Sequence, residues 1–369
     1  MTPGAFFAVI PGAVGGADGA YLVAPLAAAG LAVRMHIEQA DLADAKKIRA
    51  CYEVYLAAQR VDEPEGPWFT DRLFDGWMAV GWEGSPREVW LVTDQGSAAG
   101  WFRMELPDKE NLDLARLDLM VHPAERWRGL GLALLRQAAT RAAAHGRSVL
   151  NSAARNGSPG EAFARSVGAE PGLVEVQRVL DLRKLEKGKL ARLRRLAEQA
   201  AAAYALVSWA GPVPDEFVEQ AAVVYNAMSD APRSAEIAAE EWDAQRIRER
   251  INDLRPRFGM HNYAVAARHD ATGELAALTE MAVDPADPGW GHQLFTVVTR
   301  KHRGHRLGLL TKIAMLQLLA TTEPQLERIS TWNGAVNEHM IAVNEAIGYA
   351  VSGQPVTEYR LDSAAVPEK

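Results

Sequence analysis

The chain contains a single cysteine, Cys51, in 369 residues. That excludes an intrachain disulfide framework and a zinc site built from several thiolates. So sparing a use of cysteine fits a reducing compartment, and the expected location is cytoplasmic. An excess of positive charge is missing as well. Lys and Arg number 40 against 47 Asp and Glu, a net charge of −7. Broad binding to nucleic acid or to an anionic membrane needs a basic surface, so neither is expected and the expected partner is a small molecule. The apolar first thirty residues have no Lys or Arg, and so lack the positive start of a signal peptide. Pro11, Gly12, Gly15, Gly16 and Asp18 interrupt them, which leaves nothing like the ~20 unbroken apolar residues of a membrane helix. Residues 1–30 read as a poorly ordered extension, with secretion or a structured element as the alternatives.

The rest of the chain has enough apolar residues, 48% overall, to bury a large core, and its length favours two domains. From position 31 the periodicities predict strand (31–37), helix (41–59), a loop at 63–68, a short helix, and strands at 87–94 and 98–106 around Gln95-Gly96. A long strand (112–123), a Gly-containing loop with a helix (126–146), a strand, a short helix and a last strand follow. The same order then recurs: strand 205–211, helices 214–228 and 240–254, a hairpin over 262–283, strand 291–298, loop and helix 303–320, strand, helix 337–349 and a final strand. One α/β unit thus occurs twice, with an N-terminal domain over 31–182, a helical connector over 183–203 and a C-terminal domain over 204–369. The connector carries seven basic residues and one acidic residue between Arg183 and Arg195. It reads as the solvated face of a linker helix, with a nucleic-acid or lipid patch as the alternative.

Arg126-Trp127-Arg128-Gly129-Leu130-Gly131 and Arg303-Gly304-His305-Arg306-Leu307-Gly308 stand 177 residues apart, each between a strand and a helix. Glycines let a backbone approach a phosphate, and free N–H groups at a helix N-terminus point towards it. An Arg-x-x-Gly-x-Gly string alone is weak evidence, and the strand–loop–helix context has to carry the reading. On these two loops, in that context and in duplicate, the chain after position 33 resembles the GNAT-type N-acetyltransferases. Within that family it resembles the two-domain members found in mycothiol and antibiotic pathways. One departure is Arg306, which stands where the signature has its first glycine.

The resemblance implies an α/β (α+β) fold of two tandem GNAT-type domains, each a mixed, mostly antiparallel sheet splayed at its fourth strand and flanked by helices. It implies acetyl-CoA, or another acyl-CoA, as co-substrate and no metal. The implied cofactor-binding residues are Met120, Val121, Arg126, Arg128, Gly129, Leu130 and Gly131 in the first half. In the second half they are Val297, Val298, Arg303, His305, Arg306, Gly308 and Asn337. Family members carry a bulge on the fourth strand and often a carboxylate eleven residues before the signature. Counting back gives His292 in the second half and Ala115 in the first. A histidine can serve as base near neutral pH, and alanine cannot. Glu280, on the neighbouring strand, would orient His292 or act itself. Asp118 in the first half sits at another offset and reads as a salt-bridge partner. The family's tyrosine acid is replaced by Asn344 and, in the first half, Ala164.

The expected catalytic set is therefore His292, Glu280 and Asn344, in a C-terminal domain that turns over while the N-terminal domain mainly binds CoA. The acceptor is expected to be a small-molecule amine, with Trp68, Phe69, Trp77, Trp242 and Trp290 available to line its pocket. The protein is expected to be a monomer or homodimer. A non-catalytic acyl-CoA-binding or sensing protein is the alternative.

Overall fold

The structure, a computed structural model, describes residues 35–234 and 236–367. The predicted extension over 1–30 lies outside the described residues. The first half runs β1 (Met35–Ala40), α1 (Ala45–Asp62), α2 (Asp71–Val80), β2 (Arg87–Asp94), β3 (Ser97–Glu105), β4 (Leu114–Val121), α3 (Leu130–Ala144), β5 (Val149–Arg155), α4 (Pro159–Ser166) and β6 (Glu170–Asp181). The connector α5 (Lys189–Ala200) leads to β7 (Tyr204–Ala210) and α6 (Val218–Asn226). Next come α7 (Ala244–Arg246), which continues as a π-helix over Ile247–Leu254, β8 (His261–His269), β9 (Leu275–Val283) and β10 (Trp290–Val298). The chain closes with α8 (Leu307–Thr322), β11 (Arg328–Gly334), α9 (Glu338–Ile347), β12 (Ala350–Val351) and β13 (Val356–Asp362).

Local chemistry sets these limits. Asp44, Thr70 and Ser158 accept hydrogen bonds from the first-turn amides of α1, α2 and α4. The β2–β3 hairpin turns on Gln95 and Gly96, both at positive φ, the requirement of a tight two-residue turn. The helix predicted over 240–254 starts later, because Asp243 supplies the N-cap acceptor for Arg246 N and leaves Glu240–Trp242 outside the helix. Four of the connector's seven basic residues form ion pairs: Arg183 with Asp181 and Glu327, Lys184 with Asp181, Arg192 with Glu186, and Arg194 with Glu198.

The strands form one sheet in the order β1-β2-β3-β4-β5-β13-β6-β11-β10-β9-β8-β7, with β12 paired to β6. Each half builds the same five-strand series, antiparallel except where β4 meets β5 and β10 meets β11. Each half then gives its last long strand to the other. β13 lies along β5 of the first half from Val356↔Arg155 to Asp362↔Val149. β6 lies along β11 of the second from Arg328↔Asp181 to Gly334↔Glu175. Sequence pattern alone did not predict this exchange, because an alternating strand satisfies either edge.

Helices cover both faces. α1 and α2 pack an aromatic core (Tyr52, Tyr55, Phe74, Trp77, Trp101) on the first half, and α3 packs aliphatic residues on its other face. α8 and α6 do the same for the second half. Among the described residues no helix is long and apolar enough to cross a membrane.

Separating the halves would strip β5 and β11 of a partner strand each. Calorimetry of the whole chain is therefore expected to give one unfolding transition with equal calorimetric and van't Hoff enthalpies. Two resolved transitions would contradict a shared sheet.

Candidate active site

Both Gly-containing loops fold the same way. Arg126 Nε donates to Val121 O at 3.3 Å, and its guanidinium grips Asp62 at 2.5 and 2.9 Å. Arg303 Nε donates to Val298 O at 3.3 Å, and its guanidinium reaches Asp230 at 2.5 Å. The first arginine of each loop is thus a brace between the end of a sheet strand and the segment that closes the first helix. Two positions in each loop take positive φ. In the first loop they are Trp127 (+63°) and Gly129 (+81°), and in the second Gly304 (+88°) and Arg306 (+54°). Glycine and side chain have traded places on one backbone, so Arg306 does not disrupt the loop. Leu130 and Leu307 then open α3 and α8, whose first amides face away from the helix body.

Below each loop the sheet splits. β4 pairs with β5 only from Leu114 to Arg116, and β10 pairs with β11 only from Trp290 to His292. The two wedges differ in one backbone position. β4 runs in unbroken register against β3. β10 shifts register against β9 between Gln293 and Phe295, which makes Leu294 a bulge. Counting from the loops therefore misaligns the halves by one residue. The structural counterpart of His292 is Arg116, not the expected Ala115, because Arg116 pairs with Glu105 and Asn151 as His292 pairs with Ala282 and Ser330.

The linings differ too. In the first half Leu117, Leu119, Leu135, Ala154, Phe163 and Val167 border a small apolar cavity. In the second half, Nδ2 of the fully buried Asn344 donates to Asn333 Oδ1 at 2.8 Å, and Asn344 Oδ1 has no partner. On the opposite face of β10 a cavity of about 100 Å³ reaches Leu294 and Phe295 and is walled by Tyr225, Trp242 and Trp332. The first half contributes Trp82 and Glu83 to it. Glu240 borders this cavity and its neighbour.

Residues 48–162 match the family model described as Acetyltransferase (GNAT) family. Among solved structures, a tandem GNAT protein from the clavulanic acid biosynthesis pathway is 26% identical with a TM-score of 0.73, and the match covers 89% of this chain and 98% of that one. A GCN5-related N-acetyltransferase from Sphaerobacter thermophilus is 15% identical with a TM-score of 0.61, over 89% and 96% of the two chains. Residues 48–162 thus form a GNAT acetyltransferase domain, and the chain along its length is similar to a tandem GNAT protein. A search of the curated proteins finds no match.

A GNAT domain makes acyl-CoA-dependent N-acyl transfer the general activity, and fixes what each expected residue has to be measured against. In this GNAT protein His292 is buried, with Nδ1 3.3 Å from Ser330 Oγ. Burial pushes it down to about 4, against a smaller opposing pull from Asp284, so it is neutral at pH 7. Glu280 is held by an ion pair with Arg255 and by the Tyr225 hydroxyl at 2.7 Å. Neither His292 nor Glu280 borders the cavity at the bulge. Asp118 sits, as a salt-bridge partner, in a buried cluster with Arg103 (3.0 Å) and Glu105. Asn337 caps α9 by accepting from Met340 N at 3.3 Å. Met120 and Val297 point into the core, Arg128 pairs with Asp94 and Glu125, and His305 Nδ1 lies 3.3 Å from Ala200 O. Gly131 approaches the Phe163 ring, and Gly308 approaches Thr296 and Val298.

Of the aromatic residues expected around an acceptor, Trp242 borders the cavity while Phe69 and Trp77 are buried in the first-half core. Glu240, Trp82 and Trp332 carry no sequence signal beyond their residue type. Among the described residues no group of three or more His, Cys, Asp or Glu is placed to hold a metal ion.

The exposed Arg306 holds a positive φ that costs a side-chain residue about 1–2 kcal/mol. Arg306→Gly is expected to raise stability by about 1 kcal/mol, after the entropy of the added glycine is subtracted. It is also expected to weaken acyl-CoA binding severalfold through the lost guanidinium. Thermal unfolding and a binding titration check both signs.

Proposed function

We propose that the C-terminal half carries out the transfer, to the amine of a small molecule, and that the N-terminal half mainly binds CoA. The observation that supports this most is the bulge at Leu294, which belongs to β10 alone and backs onto the cavity shared by both halves. An acyl-CoA fits the residues present. The unpartnered, buried Asn344 Oδ1 suits an amide N–H donor of the pantetheine arm. The loop at 303–308 offers helix N-terminal amides and the free guanidinium of Arg306 to a pyrophosphate. Bound there, the thioester would supply the activated acyl group. Asn344 then serves as an acceptor that seats the arm, and a thiolate can depart unaided by a tyrosine because a thiol has a pKa of about 8.5.

The acceptor amine arrives protonated and needs a base. In this reading that base is Glu240, in place of the expected His292 and Glu280. Glu240 borders the cavity at the bulge, and its nearest cation is Arg246 at 3.8 Å. Burial first, and then the neighbouring Glu83, push its carboxyl well above the usual carboxylate range. A base so placed combines proton affinity with availability, whereas the Glu280 carboxylate is occupied by Arg255 and Tyr225.

Gly308→Glu places a carboxylate beside the second loop and is expected to reduce turnover more than 100-fold, as read in an acyl-CoA consumption assay. Full turnover in that variant, with loss in Gly131→Glu instead, would reverse the assignment of the halves. Glu240→Gln is expected to lower kcat/KM by about 10²–10⁴-fold at pH 7. The pH profile of the unaltered protein should rise through a pKa above the ordinary carboxylate value, and the deficit of the variant should shrink at high pH, where the amine deprotonates unaided.

A further inference from the structure

α8 carries one buried charged side chain among leucines. Lys312 is 2% exposed, and its Nζ donates to Gln293 Oε1 at 2.8 Å and stands 4.9 Å above the Tyr349 ring. Burial alone pushes its ammonium down to about 7, with no carboxylate opposing the shift. The counterpart in the first half is Leu135, a core residue of α3. A leucine thus suffices for the fold at this position, and the lysine answers to something local to the second half.

Gln293 is that local feature. It immediately precedes Leu294, the extra residue of β10. Its Nε2 donates to Glu280 O at 2.7 Å, to Phe295 O at 2.9 Å and to Thr279 Oγ1 at 3.0 Å. A bulge disrupts the ladder, and its buried carbonyls need other donors. The Gln293 amide meets that need only in one of its two orientations, with nitrogen towards the strand. A lysine ammonium donates and cannot accept. Placed beside the amide, it requires Oε1 on its own side and so turns Nε2 towards the carbonyls.

Resting on the assignment of transfer to the C-terminal half, we propose that Lys312 is a positioning residue for the reaction. Through Gln293 it holds the β10 bulge in the shape that seats the acyl group. Lys312 does not line the cavity at the bulge, whereas Gln293 borders it beside Leu294. Their effect passes through the backbone around Leu294.

The test is Lys312→Met, in the full chain, with kcat, KM for acetyl-CoA and Tm all measured. Methionine keeps the volume and removes a buried charge, a change that is often neutral or stabilising. The expected result is a kcat lower by on the order of 10²-fold, the scale of a small misplacement of reacting groups. KM for acetyl-CoA should stay within about threefold and Tm should not fall. In a Gln293→Leu background the same lysine change should have no further effect on kcat, because the partner it acts through is gone.

Unchanged kcat in Lys312→Met overturns the proposal. So do losses that multiply in the double variant, or a fall in Tm that accounts for the lost activity. Gly308→Glu, run alongside, separates this from failure of the underlying reading. If it abolishes turnover while Lys312→Met is fully active, only the role of Lys312 fails. If it retains turnover, the site lies elsewhere and both fail.

Discussion

A single inserted backbone position, Leu294, separates the fourth strands of two halves built on the same strand order. Without it β4 keeps its register against β3, its wedge closes on leucine, alanine and phenylalanine side chains, and Arg116 stands where the second half has His292. With it β10 turns its register, and the polar groups of the second half gather around the shift: Gln293 and Thr279 on one side, Glu280 and Tyr225 on the other. Polar burial of this kind is costly unless it is satisfied. Around the shift Gln293, Thr279, Glu280 and Tyr225 are all bonded, and the buried Asn344 oxygen is left without a partner.

The exchanged strands bring the two halves into one site. β13 and β6 pair side by side at the centre of the sheet, so the halves cannot drift apart without breaking both ladders. The segment before α7 reinforces this. Ser234 bonds to Glu358, Asn111 and Ala238 bond to each other, and Arg246 pairs with Glu110 at 2.7 Å. Trp82 of the first half stacks on Phe258 of the second with ring centroids 4.7 Å apart. The first half therefore contributes Trp82 and Glu83 to a cavity otherwise walled by the second.

Much of this was legible in the sequence, and the exceptions have physical causes. The duplicated order of elements and both loops could be read because helix and strand periodicities and glycine positions are local signals. The resemblance implied a bulge on each fourth strand, but its place at Leu294 and its absence from β4 could not be read, since one added residue in a strand leaves the apolar pattern intact on either side. Counting across it paired His292 with Ala115 instead of Arg116. Glu280 looked available because its partners, Tyr225 and Arg255, are far away in sequence. Glu240 went unnoticed because it lies on a segment without regular structure that reads as the start of a helix. Lys312 was hidden in plain helical spacing, where only packing shows that it is buried. The strand exchange was invisible because either sheet edge accepts the same alternating strand.

The central claim is that acyl transfer takes place at the bulge of β10. A structure of the protein with a non-transferable acetyl-CoA analogue tests it most directly. The account predicts the analogue in the second wedge, with its loop at 303–308, its pantetheine arm beside Asn344 and its acyl carbonyl against the backbone at Leu294. An analogue whose acyl group lies only between β4 and β5 of the first half, with the second wedge closed to it, would contradict the account.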